Sequence, residues 1–173
     1  MAGVWICAAA SVLAAGCHSF GGGSGSGGVT RDNNILALAV ELNTGQIALT
    51  HEVAGRTRFH EVGRFADRLN AQHSSFDEQL RRLPVAAPAN SLTREFAREG
   101  QRLAEVVRSA SALAVDRAYL DATISMHETS IRLLDQSMIL QAERETLRQV
   151  LRRMHAAMKA NLRMAQDLRG RTW

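Results

Sequence analysis

The chain has 173 residues, 46% of them hydrophobic but only 5% aromatic, and a formal net charge of +4. Its 21 basic residues, all arginine except Lys159, alternate with Asp and Glu and form no block, which argues against a nucleic-acid partner. Two cysteines offer no disulfide framework. Two prolines amid abundant Ala, Leu, Arg, Gln and Glu indicate an all-α protein.

The apolar run from Val4 to Ala15 ends in Leu13-Ala14-Ala15-Gly16-Cys17. About 12 apolar residues are too few for a membrane span, which needs roughly 20. Small residues closing a short apolar stretch before a cysteine resemble the lipobox of bacterial lipoproteins. That resemblance implies a signal peptide at 1–16, cleavage before Cys17 and acylation of Cys17, with palmitate among the chains. It also implies a membrane anchor, and His18 in place of aspartate after the cysteine leans towards the outer membrane, facing the periplasm. About 157 residues then remain, enough for one compact domain. Gly21–Gly28 reads as a flexible tether, so residues 17–29 link the lipid to a bundle at 30–170; eight such residues span roughly 15 Å.

The first helix is expected from about Asn33 to Val53, capped by Thr30 or Asp32, with Ile35, Leu38, Leu42, Gly45 and Leu49 at helical spacing and Gly55 beyond its end. From Thr57 to Leu83, the positions Val62, Ala66, Leu69, His73, Phe76, Leu80 and Leu83 step by fours and threes, the pattern of a bundle seam. Pro84 and Pro88 break the helix. A shorter helix from Ser91 to Arg108 carries Leu92, Phe96, Leu103 and Val107. A further seam runs through Leu120, Ile124, His127, Ile131, Leu134 and Met138, between Ala114 and Leu140. The last, from Glu143 to Leu168, carries Leu147, Leu151, Met154, Met158, Asn161, Ala165 and Leu168. Four long amphipathic helices and one short extra helix between the second and third make a four-helix bundle.

The segment Asp116-Arg117-Ala118-Tyr119-Leu120, followed by His127-Glu128, resembles the signature of the bacterial domain of unknown function 4142. Asn43-Thr44-Gly45-Gln46-Ile47, Phe65-Ala66-Asp67-Arg68-Leu69 with His73, and Met164-Ala165-Gln166-Asp167-Leu168 are similar to further stretches of that family. The resemblance covers Asn33 to Leu168 and implies an exported, often lipid-anchored protein with a ferritin-like fold. Where the family carries an acidic residue in its first helix this chain has Gln46. Its aspartate before the second-helix histidine is Gln72, its Leu-Pro pair corresponds to His155-Ala156, and its last histidine to Asn161. Of a Glu/His/His/His set, only His73 and His127 remain.

A ferritin-like di-iron site needs carboxylates from several helices and Glu-x-x-His pairs, and no histidine here has Glu or Asp three residues before it. Counting 1.5 Å per residue from turns near Gly55 and Gln141 places Gln46 and His73, and likewise His127 and Asn161, at different levels. That count sets His127 opposite His155, making His127 and His155, with His73, the candidate metal ligands. The competing expectation is that Gln46, His73, Asp116, Tyr119, His127 and Asn161 are polar core residues that fix helix register, with Asn43 beside them. Asp116 then acts as a cap or pairs with an arginine, and Tyr119 fills the core. Met126, Met138, Met154, Met158 and Met164 read as core filler. No catalytic constellation appears and no cofactor is expected. The sequence therefore favours a lipid-anchored bundle that binds an envelope protein or peptidoglycan. The alternative is a metal-binding oxidoreductase or stress protein.

Overall fold

A computed structural model of the chain describes residues 27–84 and 89–171, with side chains from residue 31. The signal peptide, Cys17, most of the tether and Pro88 lie outside the described residues. Five helices are described: α1 (Gly27–Val53), α2 (His60–Arg81), α3 (Ser91–Ser109), α4 and α5 (Glu145–Arg171). Helix α4 runs as Val115–Leu133, continues through a π-helical stretch Leu134–Met138 and closes with the turn Ile139–Gln141. The fold is an all-α helical bundle, with the extra helix standing between the second and third seams.

Helix α1 lies in the middle because its apolar residues face several directions. Leu36, Ala37, Leu38 and Ala39 are buried in succession, and a helix buried on many sides must have neighbours on many sides. It touches α2, α3, α4 and α5. Helix α3 packs chiefly along it, and their backbones meet at glycines: a Cβ on Gly100 would stand 3.2 Å from the Gly45 Cα. Asn90, one residue ahead of the expected Ser91, caps α3 by a reciprocal pair of bonds with Thr93.

The helix ends are joined by long-range polar contacts. Helix α1 starts at Gly27, ahead of the expected cap positions Thr30 and Asp32. The buried Asp32 carboxylate instead accepts the N–H groups of Glu143 (2.8 Å) and Arg144 (3.0 Å), just ahead of α5. Asp116 does act as a cap, but for another helix: it accepts the N–H groups of Arg58 (3.0 Å) and Phe59 (3.4 Å) at the start of α2. Both carboxylates place negative charge where a helix leaves N–H groups unpaired. At the same end of the bundle the Arg56 guanidinium donates to the carbonyls of Glu52, Val107 and Ala110, tying the C-terminus of α1 to that of α3.

Two apolar clusters fill the interior. One gathers Leu49, Val53, Val62, Phe65, Leu69, Tyr119, Leu120, Ala165 and Leu168. The other gathers Ile35, Leu38, Leu42, Phe76, Leu80, Leu134, Met138, Leu147, Leu151, Met154 and Met158. The α2 seam is buried from Val62 to Leu80, while Leu83 is only half-buried. On α4 the buried set departs from the expected seam. Ile124 and Ile131 are half-buried, and Tyr119, Thr123, Met126 and Ser130 are buried in their vicinity. The reason is that α4 lies against α1, α3 and α5 together, so more than one face is covered.

Candidate functional site

Between the two clusters three of the helices change from apolar to polar within one or two turns. On α1, Asn43 and Gln46 stand between Leu42 and Leu49. On α2, His73 stands between Leu69 and Phe76. On α4, Thr123, His127 and Ser130 stand between Leu120 and Leu134. All six polar side chains are fully buried. They form one polar layer across the bundle.

The two imidazoles meet edge to face, with ring centroids 5.6 Å apart and planes at 85°. Each is held by its Nδ1. The Asn43 amide donates through Nδ2 to the Ala39 carbonyl (3.2 Å), which turns its oxygen towards His73, and His73 Nδ1 lies 2.7 Å from that oxygen. An amide oxygen only accepts, so His73 carries its proton on Nδ1. His127 Nδ1 lies 2.9 Å from the Thr123 carbonyl oxygen, again a pure acceptor, so His127 is the same tautomer. The Gln46 carboxamide, drawn with Nε2 towards the ring, lies 3.0 Å from that Nδ1. Because Nδ1 already donates to Thr123, the amide is turned so that its oxygen faces the ring, which leaves Nε2 in the unpartnered place.

Both Nε2 atoms are therefore bare lone pairs, buried and without a hydrogen-bond partner among the described residues. Burial pushes the His73 imidazole from its ordinary 6.5 down to about 3, and the neighbouring His127 pushes the same way. His127 falls to about 4 for the same cause, partly offset by the Thr123 carbonyl. Both rings are neutral at pH 7. Tyr119 lies in the cluster next to this layer, its ring 6.4 Å from that of Phe65. Burial pushes its hydroxyl ionisation up, with the Thr123 hydroxyl tempering the effect.

The structure corrects two of the sequence expectations. His73 and His127 share a level with Asn43 and Gln46. The count from a turn at Gly55 separates them because residues 54–59 intervene between α1 and α2 and a tight turn does not. His155 is not opposite His127. It sits at the bundle side with Nε2 3.0 Å from Asp135 Oδ1, so His127 and His155 form no pair. Asn161 lies at the edge of the same level, half-buried, and donates to Gln72 Oε1 at 2.6 Å. Gln46, His73, Asp116, Tyr119 and His127 are buried polar residues. The sequence reading missed Thr123 and Ser130. Their recurrence at one face of α4 with His127, in steps of four and three, is the signal that could have found them.

The ferritin-like likeness implies a di-iron centre, and the donors here do not fit one. The layer holds imidazoles, carboxamides and hydroxyls but no carboxylate, and Glu128, beside His127 in sequence, is exposed. Among the described residues no three His, Cys, Asp or Glu side chains gather into a metal-binding group.

Residues 23–168 match the family described as a domain of unknown function (DUF4142), and the chain belongs to that family. No curated protein and no solved structure matches it.

Proposed function

We propose that the chain is a lipid-anchored bundle of the outer membrane, facing the periplasm, that works by binding an anionic component of the envelope and not by catalysis. One observation carries the reading: the charge is concentrated on a single helix. Helix α5 has seven basic residues (Arg148, Arg152, Arg153, Lys159, Arg163, Arg169 and Arg171) against Glu145 and Asp167, a net +5 on a chain whose total is +4. Everything else is close to neutral.

Arg152, Lys159 and Arg163 follow one another at seven and four residues, so they lie on one outward face, and all three are exposed. Lys159 and Arg163 have no ion pair or hydrogen bond among the described residues, which leaves them for a partner. Such a stripe draws in a surface of opposite charge and raises its association rate. An acidic envelope protein and carboxylate-bearing peptidoglycan are the partners that suit it. The polar layer supports the non-catalytic reading, since it carries amides at positions where an acid-base or di-iron site needs carboxylates.

No helix among the described residues is long and apolar enough to cross a membrane, so the reading assigns attachment to Cys17. Two experiments test it. Photo-crosslinking from the α5 face in native envelopes should capture a partner that is lost when Arg152, Lys159 and Arg163 are all changed to Glu; capture that survives the reversal contradicts the surface. Labelling with a palmitate analogue should disappear in Cys17→Ser, and persistent labelling contradicts the anchor.

A further inference from the structure

We infer, on the strength of the Cys17 anchor proposed above, that the end of the bundle holding the start of α1 is a phospholipid-facing surface, with Leu140 and Leu92 as the side chains that enter the bilayer interface. The topology brings three places to that end: the start of α1, the α2–α3 connection and the α4–α5 corner. Polar contacts lock them together. The Asp32 carboxylate accepts the N–H groups of Glu143 and Arg144, the Arg144 guanidinium donates to the Pro84 carbonyl (3.0 Å), and the Asn90 amide donates to Asn34 Oδ1 (3.3 Å).

Leu140 is 73% exposed in the closing turn of α4, and Leu92, the second residue of α3, is 39% exposed. A leucine side chain standing in water at a helix end gains free energy when an apolar medium takes it up. Arg82 and Arg94, both exposed, stand at the same end. Arg82 is paired only with the exposed Glu78 at 3.4 Å, a contact worth little in water, so its guanidinium is free to turn to a phosphate. Apolar tips accompanied by basic groups suit the boundary between acyl chains and headgroups.

Exposure alone does not select this end, because Leu113 at the opposite end is also 73% exposed. The anchor does. Gly27 is ten residues after Cys17, and ten residues fully extended reach at most about 36 Å. Helix α1, 27 residues long, carries the chain about 40 Å towards the opposite end. With its lipid inserted, the bundle therefore cannot stand upright and inverted with Leu113 in the membrane. A linker this short also holds the near end at millimolar effective concentration, so a contact too weak to recruit a free protein is occupied in the anchored one. End-on seating leaves the α5 stripe along the side of the bundle, open to a partner in the periplasm.

The test uses the full-length chain expressed in a bacterium, purified in its processed, membrane-extracted form and reconstituted into vesicles of phosphatidylethanolamine and phosphatidylglycerol. With Cys7 removed in the signal peptide and Cys17 acylated, an introduced cysteine is the sole thiol open to a fluorophore. Leu140→Cys, Leu113→Cys and Ala160→Cys report the near end, the opposite end and the α5 face, and all three positions are exposed, as is Leu92, so the fold is kept. Lipids carrying a nitroxide at the headgroup should quench the Leu140→Cys probe several-fold more than the other two, and adding Leu92→Glu to that chain should reduce its quenching. If the chain floats with the vesicles but Leu140→Cys and Leu113→Cys are quenched equally, the end-on surface is overturned and the anchor stands. Strongest quenching in Ala160→Cys overturns it in favour of a bundle lying on α5. A chain that does not float overturns the anchor, and the surface with it.

Discussion

The apolar clusters and the polar layer between them are both buried, yet they depend on different physics. In the clusters, stability comes from excluding water and from close contact, neither of which is sensitive to pH or particular about direction. In the layer each contact has a donor, an acceptor and an angle, and a single misplaced group leaves an unsatisfied one at a cost of about 1–3 kcal/mol. The clusters make the bundle stable. The layer fixes which helix faces which at what height, because only one register brings Asn43 to His73 and Gln46 to His127.

Changing pH separates the two regions most strongly. Folded, the two imidazoles stay neutral down to about 3 and about 4; unfolded, they take up protons near 6.5. Their contribution is therefore complete above pH 6.5 and is lost as pH falls towards 4. Each contributes a slope of up to about 1.4 kcal/mol per unit, roughly 5 kcal/mol in all between pH 6.5 and 4. Urea unfolding across that window should show the steep loss, and a flat profile would count against neutral buried rings. Truncation inside a cluster behaves otherwise. Leu151→Ala, at a fully buried position, should cost about 3 kcal/mol by chemical denaturation, by the same amount at pH 7 and pH 5.5.

The contacts that tie helix ends rank next. Asp116→Ala removes the acceptor of two N–H groups at the start of α2 and should cost about 2 kcal/mol, measured the same way. A comparable loss is expected for Asp32→Ala. The smallest effect separates two helical glycines. Gly170 has open space around it, so Gly170→Ala should gain roughly 0.5 kcal/mol from helix propensity. Gly100→Ala should show no gain, because its Cβ meets the backbone of α1. Equal thermal shifts in the two would mean that α1 and α3 are further apart than described.

Much of the architecture is legible in the sequence. The seam of α2 from Val62 to Leu80 and the proline break after it follow from local pattern, and so does the order of the five helices. The polar residues of the core are also visible, since an imidazole or amide at a seam position stands out against leucines. Their common level is not, because it depends on the length and path of residues 54–59. Sequence spacing measures distance along one helix and says little about how two helices are offset. Asp32 shows the same limit. Its place near the start of a helix suggests a local cap, whereas its partners are Glu143 and Arg144, more than a hundred residues away. Thr123 and Ser130 escaped notice because small hydroxyl residues are unremarkable on an exposed helix face, and nothing local reveals that α4 has neighbours on three sides.

The central claim is that His73 and His127 are neutral, protonated on Nδ1, and share one buried polar layer between the clusters. Imidazole ¹⁵N resonances of the folded chain at pH 5 test it most directly. Two of the rings should stay neutral with the proton on Nδ1, and their signals should vanish one by one in the His73→Asn and His127→Asn chains. If every histidine titrates near 6.5, or if these two carry the proton on Nε2, the layer is not arranged as described.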